Sequence, residues 1–368
     1  MIAIWYLAVF LTLIGVVTLI GHYSKRSKIS EGKLPPVTVL KPIFGVQNGI
    51  KENIESFFQQ QYNGNFELFF CHAKYCVELL EIIKEIAGCY PHVKYRNLHN
   101  QAQDVINPKI ANMLIGYTIS LNDHILISDA GARVDPQYLA RMVSSLKPGI
   151  GCVTGVVCGD GAKNFPGRVE SVYLNMFFSR ARILGYYFGV PTVMGLSMLF
   201  RKSDAKKFGG FKYLGDFLAE DYMMGQKMRE LGLKICIVPE PVVQHLDKYS
   251  FENFFNRHVR WGRLRFAHAP FPFMLEPLTM SLIVSIIGGI AMHSILFFGI
   301  SLGLFYLCDL ISYLYTPVQG YKKSLFLLEW LFREVIALPL WIYILSSRSI
   351  NWKGNKLRLH FGGKITRK

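Results

Sequence analysis

Charge is scarce in this chain, and acid is scarcer than base. Only 18% of its 368 residues are charged, against about 25% in ordinary soluble domains. Lys and Arg number 41 and Asp and Glu 25, giving a net charge of +16. With 51% hydrophobic residues and a mean hydropathy of +0.26, that shortage excludes disorder and argues against a wholly cytosolic protein. Paired cysteines are also missing. The seven, Cys71, Cys76, Cys89, Cys152, Cys158, Cys236 and Cys308, are odd in number and include no Cys-x-x-Cys. They fit reduced thiols better than a disulfide framework or a zinc site. No tandem repeat or low-complexity stretch stands out. The excess of base suits an anionic membrane surface or an anionic substrate such as a nucleotide diphosphate. Nucleic acid is disfavoured, because many of the charges lie beside apolar membrane runs.

The apolar residues are concentrated in three blocks. Ala3 to Ile20 is unbroken and about long enough to span a bilayer. No basic residue precedes it, and Lys25, Arg26, Lys28 and Lys33 follow it. The positive-inside rule then puts the N-terminus outside and the next domain in the cytosol. A cleaved signal peptide is disfavoured, since the basic leading region and small-residue cleavage site are absent. Leu278 to Tyr315 is nearly twice one span, so it predicts a hairpin of two helices, with Gly299 and Gly303 at the turn or at a close contact. Asp309, inside this block, is expected to face protein or water. Leu325 to Leu345 is interrupted by Glu329, Arg333 and Glu334. Glu329 and Arg333 have the i,i+4 spacing of a helix pair. This block suits either an inward-facing span or a helix lying at the cytosolic surface. The basic tail (Lys353, Lys356, Arg358, Lys364, Arg367, Lys368) prefers the cytosol.

Between these blocks, residues 35–270 alternate strand and helix signals. β-rich runs occur at Val37–Leu40, Glu67–Cys71, His124–Asp129, Cys152–Val157, Val193–Phe200 and Lys234–Pro239. Helical patterns lie at Asn53–Gln61, Val77–Ala87 and Pro136–Leu146, the last with Asp135 as N-cap and Pro136 at the first position. The alternation predicts an α/β domain with a mostly parallel sheet, whose ligands bind at the carboxyl ends of strands.

Several motifs in this region are able to carry chemistry. Asp129 ends a predicted strand before Ala130-Gly131, a position for holding a divalent cation against a diphosphate, although the pattern also suits a turn aspartate. Glu220 and Asp221 open a predicted helix, Asp221–Leu231, where carboxylates are stabilised. They serve there either as N-terminal charge capping or as a general base. Arg257 and Arg260 lie one turn apart beside Trp261, after the predicted N-cap Ser250. Two guanidinium groups so spaced suit pyrophosphate. With Arg263 and Arg265 they equally suit anionic lipid. Lys41 at a strand end, and Lys109 and Asn112 at a helix start, are nucleotide-contact candidates or structural residues. His245 reads as a hydrogen-bonded loop histidine before a metal ligand.

In combination these residues resemble a known family. The order is Lys41-Pro42, Asn107-Pro-Lys-Ile, Ser128-Asp129, Met194-Gly-Leu-Ser-Met-Leu-Phe-Arg-Lys202, Glu220-Asp221-Tyr222 and Arg257-His-Val-Arg260-Trp261. Glu276-Pro277 and the tail Ile350-Asn-Trp-Lys-Gly-Asn-Lys-Leu-Arg-Leu-His-Phe-Gly-Gly363 complete it. The pattern resembles the ceramide glucosyltransferases, in the processive-type branch of GT-A glycosyltransferases. The resemblance implies an N-terminal anchor over 1–22, a GT-A domain over 35–270, membrane helices over 276–347 and a basic tail over 348–368. It implies a multi-pass protein of Golgi or ER membranes with its catalytic domain facing the cytosol. Glucose would pass from UDP-glucose to the primary hydroxyl of ceramide, with inversion and with Mg2+ or Mn2+. Asp129 would bind the metal–diphosphate and Asp221 would take the acceptor's proton. Arg257, Arg260 and Trp261 would hold the diphosphate and the acceptor end, with Lys41, Lys109, Asn112, Gly195 and Glu220 completing the substrate-binding set. Lys74 departs from the family, which has an aspartate there to contact the nucleotide. A shifted alignment would bring in Glu78 or Asp104. Otherwise the departure implies altered nucleotide choice or a catalytically weak or inactive membrane paralogue, and transfer to another membrane lipid is a further alternative.

Overall fold

The computed structural model describes residues 1–99, 105–190, 192–318, 326–352 and 354–367. Asp104, Leu325, Lys353 and Lys368 lie outside the described residues. In chain order the elements are α1 (Ile2–Tyr23), β1 (Val37–Ile43), α2 (Ile50–Phe58), β2 (Phe66–His72), α3 (Val77–Cys89), β3 (Lys94–His99) and α4 (Pro108–Ile119). Next come β4 (His124–Ser128), β5 (Ala132–Arg133), α5 (Tyr138–Ser145), β6 (Ile150–Asp160), α6 (Phe165–Val172), a π-helical turn (Tyr173–Phe178), α7 (Ser179–Tyr187), β7 (Ser197–Arg201), α8 (Lys202–Lys206) and α9 (Gly210–Leu214). Then follow α10 (Glu220–Glu230), β8 (Lys234–His245), α11 (Phe251–His268), α12 (Pro270–Met274), a 3-10 turn (Glu276–Thr279), α13 (Ser281–Ala291), α14 (Ile295–Tyr315), α15 (Phe326–Leu345), β9 (Ser349–Trp352), β10 (Asn355–Leu359) and β11 (Ile365–Arg367).

The chain packs as two units. One comprises Lys25–Val157 and Gly189–His245, the other Met1–Ser24, Cys158–Phe188 and Leu246–Lys368.

The first unit is built on an eight-stranded sheet of order β3-β2-β1-β4-β7-β6-β8-β5. The run β3-β2-β1-β4 is parallel, while β7 joins β4 and β6 joins β7 antiparallel. The central strands are apolar on both faces, as strands covered by helices on each side must be. Leu68 and Phe70 of β2 enter one core layer with Ile54, Phe57 and Ile83. Phe69 and Cys71, pointing the other way, enter a second layer with Ile110, Met113 and Phe211. Each large apolar side chain so buried contributes about 1.5–3 kcal/mol. The parallel α/β expectation holds, and the sequence signals missed β3 and β5. The helix expected at Pro136 begins at Tyr138 instead; Asp135 Oδ1 accepts the Gln137 N–H at 2.9 Å and caps the preceding turn.

The second unit holds the apolar helices. Within it α1 packs on α7, α13 and α14. Trp5 Nε1 donates to Ser301 Oγ at 2.7 Å, and a Cβ at Gly288 would lie 2.7 Å from the Trp5 ring. α1 and α14, with 22 and 21 residues, are long and apolar enough to cross a membrane. The expected hairpin is only half realised. α13 has 11 residues, about 16 Å of helix, roughly half a bilayer core. The chain reverses at Met292–Ser294, with His293 at φ 49° and Ser294 capping α14. Gly299 and Gly303 sit inside α14 with open space around them, so they are neither turn nor contact. Asp309 does face protein: it pairs with Arg180 and accepts from Trp330 Nε1 at 2.7 Å. Glu329 and Arg333 do not pair with each other. Glu329 binds Arg168 at 2.7 Å, and Arg333 binds Glu334 with Asp309 at 3.6 Å. Tertiary partners displace the local i,i+4 pair because Glu329, Arg333, Glu334 and Asp309 are buried and each needs an opposite charge. The tail forms an antiparallel sheet, β11-β10-β9. All seven cysteines are free thiols.

Candidate active site

In the sheet unit, most of the candidate residues converge where β1 and β4 end. The parallel register that pairs Leu40 with Ile127 sets Lys41 beside Ser128. Lys41 Nζ lies 3.3 Å from both Ser128 Oγ and the Asp129 carbonyl, and 3.7 Å above the Phe57 ring. Burial pulls this ammonium down to about 7, with Asp129 partly offsetting it.

Helix α4 supplies the next cation. Asn107 caps it by accepting the backbone N–H groups of Lys109 and Ile110, and Pro108 occupies the first position, where a missing N–H costs nothing. The side chain of Lys109 then reaches Asp129 Oδ1 at 2.8 Å, Glu220 Oε1 at 2.7 Å and the Gly195 carbonyl at 2.7 Å. An ammonium has three N–H donors, and all three are used. Burial works against the charge of Lys109, but the carboxylates of Asp129 and Glu220 outweigh it and push its pKa up. Burial pushes the Glu220 carboxyl up, with Lys109 pulling against it and Asp221 adding to it. Asn112 lies one turn further along α4; its Nδ2 is buried without a partner among the described residues.

Glu220 and Asp221 occupy the first turn of α10, at the positive end of the helix dipole. Asp221 Oδ2 accepts the Gly195 N–H at 2.7 Å and Oδ1 accepts the Tyr222 N–H at 2.8 Å. A Cβ at Gly195 would stand 2.8 Å from that Oδ2, so only glycine lets the backbone come this close. The carboxylate is thus fixed in orientation by two backbone donors.

Asp129 is the residue suited to a metal. Its side chain is about one-third exposed, at 35%, while Lys109 and Glu220 are buried. No group of three or more His, Cys, Asp or Glu forms a cage among the described residues. Mg2+-type ions bound together with substrate phosphates need only one or two protein carboxylates. One accessible hard-oxygen donor beside two lysines fits that mode.

The chain matches the model of glycosyl transferase family 21 over residues 3–365. It is 30% identical over 346 residues to ceramide glucosyltransferase 1 of Caenorhabditis elegans, covering 90% of this chain and 73% of that protein. The identity to ceramide glucosyltransferase of Komagataella phaffii is 23% over 460 residues, 97% of this chain and 89% of that one. The chain belongs to glycosyl transferase family 21. Its fold is of the GT-A type: a mannosyltransferase from Pyrobaculum calidifontis, solved in complex with GDP-Man and Mn2+, superposes with a TM-score of 0.52 at 15% identity, over 93% of this chain and 96% of that one.

In this family 21 glycosyltransferase the remaining candidates lie in the helical unit, on α11. Ser250 caps the helix by accepting the Asn253 N–H at 3.1 Å. Arg257 and Arg260 take different partners. Arg257 binds Glu170 at 2.7 Å, whereas Arg260 lies over the Trp352 ring. Trp261 stacks on Phe178, with ring centroids 5.4 Å apart. Glu170, which sequence reasoning missed, also holds His258 Nε2 at 2.8 Å. Eighty-seven residues separate it from Arg257, and no local pattern announces such a pair. Lys74 is exposed in the bend after β2. Behind it, at the ends of β2 and β3, His72 Nε2 meets Asn97 Oδ1 at 2.8 Å. His245 ends β8 as a strand residue rather than a loop histidine.

Proposed function

We propose that this family 21 enzyme transfers glucose from UDP-glucose to the primary hydroxyl of ceramide, with inversion at the anomeric carbon. The names of the relatives carry glucosyl transfer to ceramide. The observation that carries the chemistry is the Asp221 carboxylate, held by the Gly195 and Tyr222 N–H groups beside the Lys109–Asp129 pair. In a single displacement the acceptor hydroxyl gives its proton to Asp221 as its oxygen bonds to the anomeric carbon, and the bond to the diphosphate breaks with its electron pair leaving on UDP. One base suffices, and no second carboxylate is needed as nucleophile. Asp129 would hold the Mg2+ or Mn2+ that arrives with the nucleotide and neutralises charge on the departing diphosphate. Lys109, with its donors spent on Asp129, Glu220 and Gly195, is a positioning residue. Lys41, Asn112 and Gly195 serve the nucleotide-sugar end, and Arg257, Arg260 and Trp261 are retained as candidates for the diphosphate and acceptor. The catalytic domain would face the cytosol, an orientation supported by the basic flank after α1, and the membrane would be that of the Golgi or ER.

A second reading rests on Lys74. A lysine cannot accept a hydrogen bond from uracil or ribose, so a different nucleotide, or weak or absent activity, would follow. Incubating the full chain in vesicles with ceramide, Mg2+ or Mn2+, and UDP-glucose or UDP-galactose decides between them. Mass detection of glucosylceramide is the expected outcome; product from neither donor overturns the proposal.

A further inference from the structure

The helical unit contains a cavity of about 90 Å3 between α11, α15 and the π-helical turn. A single water needs roughly 10–15 Å3 on this measure, so the space admits a chain of several linked groups. Its walls are aromatic and aliphatic, among them Phe177, Ile336, Ala337 and Trp341. Water has little to bind on such walls.

The polar groups at the margin are almost all spoken for. Arg265 is held by both oxygens of Glu276, at 2.6 and 3.0 Å. His258 is held by Glu170. Arg333 is the exception among the charged groups. It lines the cavity, is 7% exposed, and its Nη1 has no acceptor among the described residues. A buried guanidinium N–H without an acceptor is costly. It marks a place where a ligand oxygen belongs.

The charge around Arg333 says which oxygen. Arg333 and Arg180 are matched by Asp309 and Glu334, two positive and two negative groups in one buried cluster. An anionic phosphate would add an unmatched charge at low dielectric, which is strongly unfavourable. An uncharged amide or hydroxyl oxygen satisfies Nη1 without disturbing that balance.

We infer that this cavity holds one hydrocarbon chain of the lipid acceptor, with Arg333 Nη1 donating to an uncharged amide or hydroxyl oxygen of the same lipid. The inference deepens the proposed function and rests on its reading of the acceptor as a ceramide-type lipid. It makes Ala337 a determinant of chain length, because a larger side chain there would occupy the space a chain fills.

The test has two arms on the full-length protein in lipid vesicles. In the first, ceramide carrying a diazirine in either chain is photolysed and the adducts are mapped by mass spectrometry. The expected result is labelling within residues 326–345 or 251–268 that unlabelled ceramide competes away and phosphatidylserine does not. Labelling confined to other segments, or equal competition by the anionic lipid, overturns the inference. This arm needs no turnover, so it stands even if glucosyl transfer is absent and the proposed function fails. In the second, Ala337→Phe is compared with the parent on ceramides shortened in either chain. The expected loss of kcat/KM is about tenfold for the long-chain lipid, as when roughly two methylenes no longer reach apolar walls, with the shortened lipid and the KM for UDP-glucose little changed. An Ala337→Phe protein that melts like the parent and keeps the parent's chain-length profile overturns it. Should Ala337→Phe not fold, Ala337→Leu on the same lipid series gives the same readout, and the labelling arm is unaffected.

Discussion

Asp221 and Gly195 act as one device, and each is open to a direct test. Asp221→Asn keeps an oxygen able to accept the Gly195 N–H but removes the base. Glucosyl transfer is expected to fall roughly 10²–10⁴-fold, the usual worth of a general base, with UDP-glucose binding changed only a few-fold. Activity close to the parent's would remove Asp221 from the base role. Gly195→Ala asks whether the orientation of that carboxylate matters. The added Cβ would meet Asp221 Oδ2 at 2.8 Å, so the carboxylate must turn away from its backbone donor. A loss of kcat of about 10²-fold, the scale set by an ångström of misplacement, is expected without a large change in melting temperature; an unchanged kcat means the orientation is immaterial. Much of this site was legible in the sequence: Asp129 at a strand end, the acidic pair at a helix start and the lysine after Asn107-Pro108 each sit where local rules place them. What the sequence did not reveal is how Lys109 is used. Its three contacts come from the residue after β4, the first turn of α10 and the segment that leads into β7, 20 to 111 positions away from it, and no periodicity encodes that convergence.

Strands and helices were legible where one face or both must be apolar, and illegible elsewhere. β1, β2 and β4 announce themselves as apolar runs because helices cover both sides of the sheet. β3, with Lys94, Arg96 and Asn97, is an edge strand whose first residues stay partly exposed, so it lacks that signal. α6 and α11 owe their mutual fixing to a polar contact of the same silent kind. Burial opposes the charge on Glu170, but His258 and Arg257 outweigh it and hold the carboxyl below its usual value. Glu170→Gln removes the carboxylate that both groups need, and breaking a buried pair of this kind costs about 3–5 kcal/mol. The sign with pH follows from the lowered pKa. A depressed carboxylate stabilises the fold fully above its unfolded value of about 4.3, and the benefit drains away as pH falls through the lower folded value. The melting-temperature gap between parent and Glu170→Gln in detergent is therefore expected to narrow as pH falls below about 4.3. A gap that stays fixed down to pH 3 would show that Glu170 contributes by packing and not by charge.

The whole molecule joins two apolar helices of spanning length with a sheet unit that carries most of the candidate site residues in one chain. Its proposed substrates differ accordingly: the sugar donor dissolves in water and the acceptor does not. Each buried methylene of a lipid is worth about 0.8 kcal/mol, so a two-chain lipid stays in the bilayer throughout the reaction. The enzyme and its acceptor then meet by diffusion in two dimensions, and the quantity that sets the rate is the mole fraction of ceramide in the membrane. With total ceramide and enzyme held constant, diluting the vesicles tenfold with phosphatidylcholine is expected to lower the rate about tenfold while ceramide is below saturation. The KM for UDP-glucose, set by its bulk concentration, is expected to hold steady across the series. A rate that ignores surface dilution and follows total ceramide would mean that the acceptor reaches Asp221 through water. A hydrocarbon cavity between α11, α15 and the π-helical turn would then have no part in its delivery.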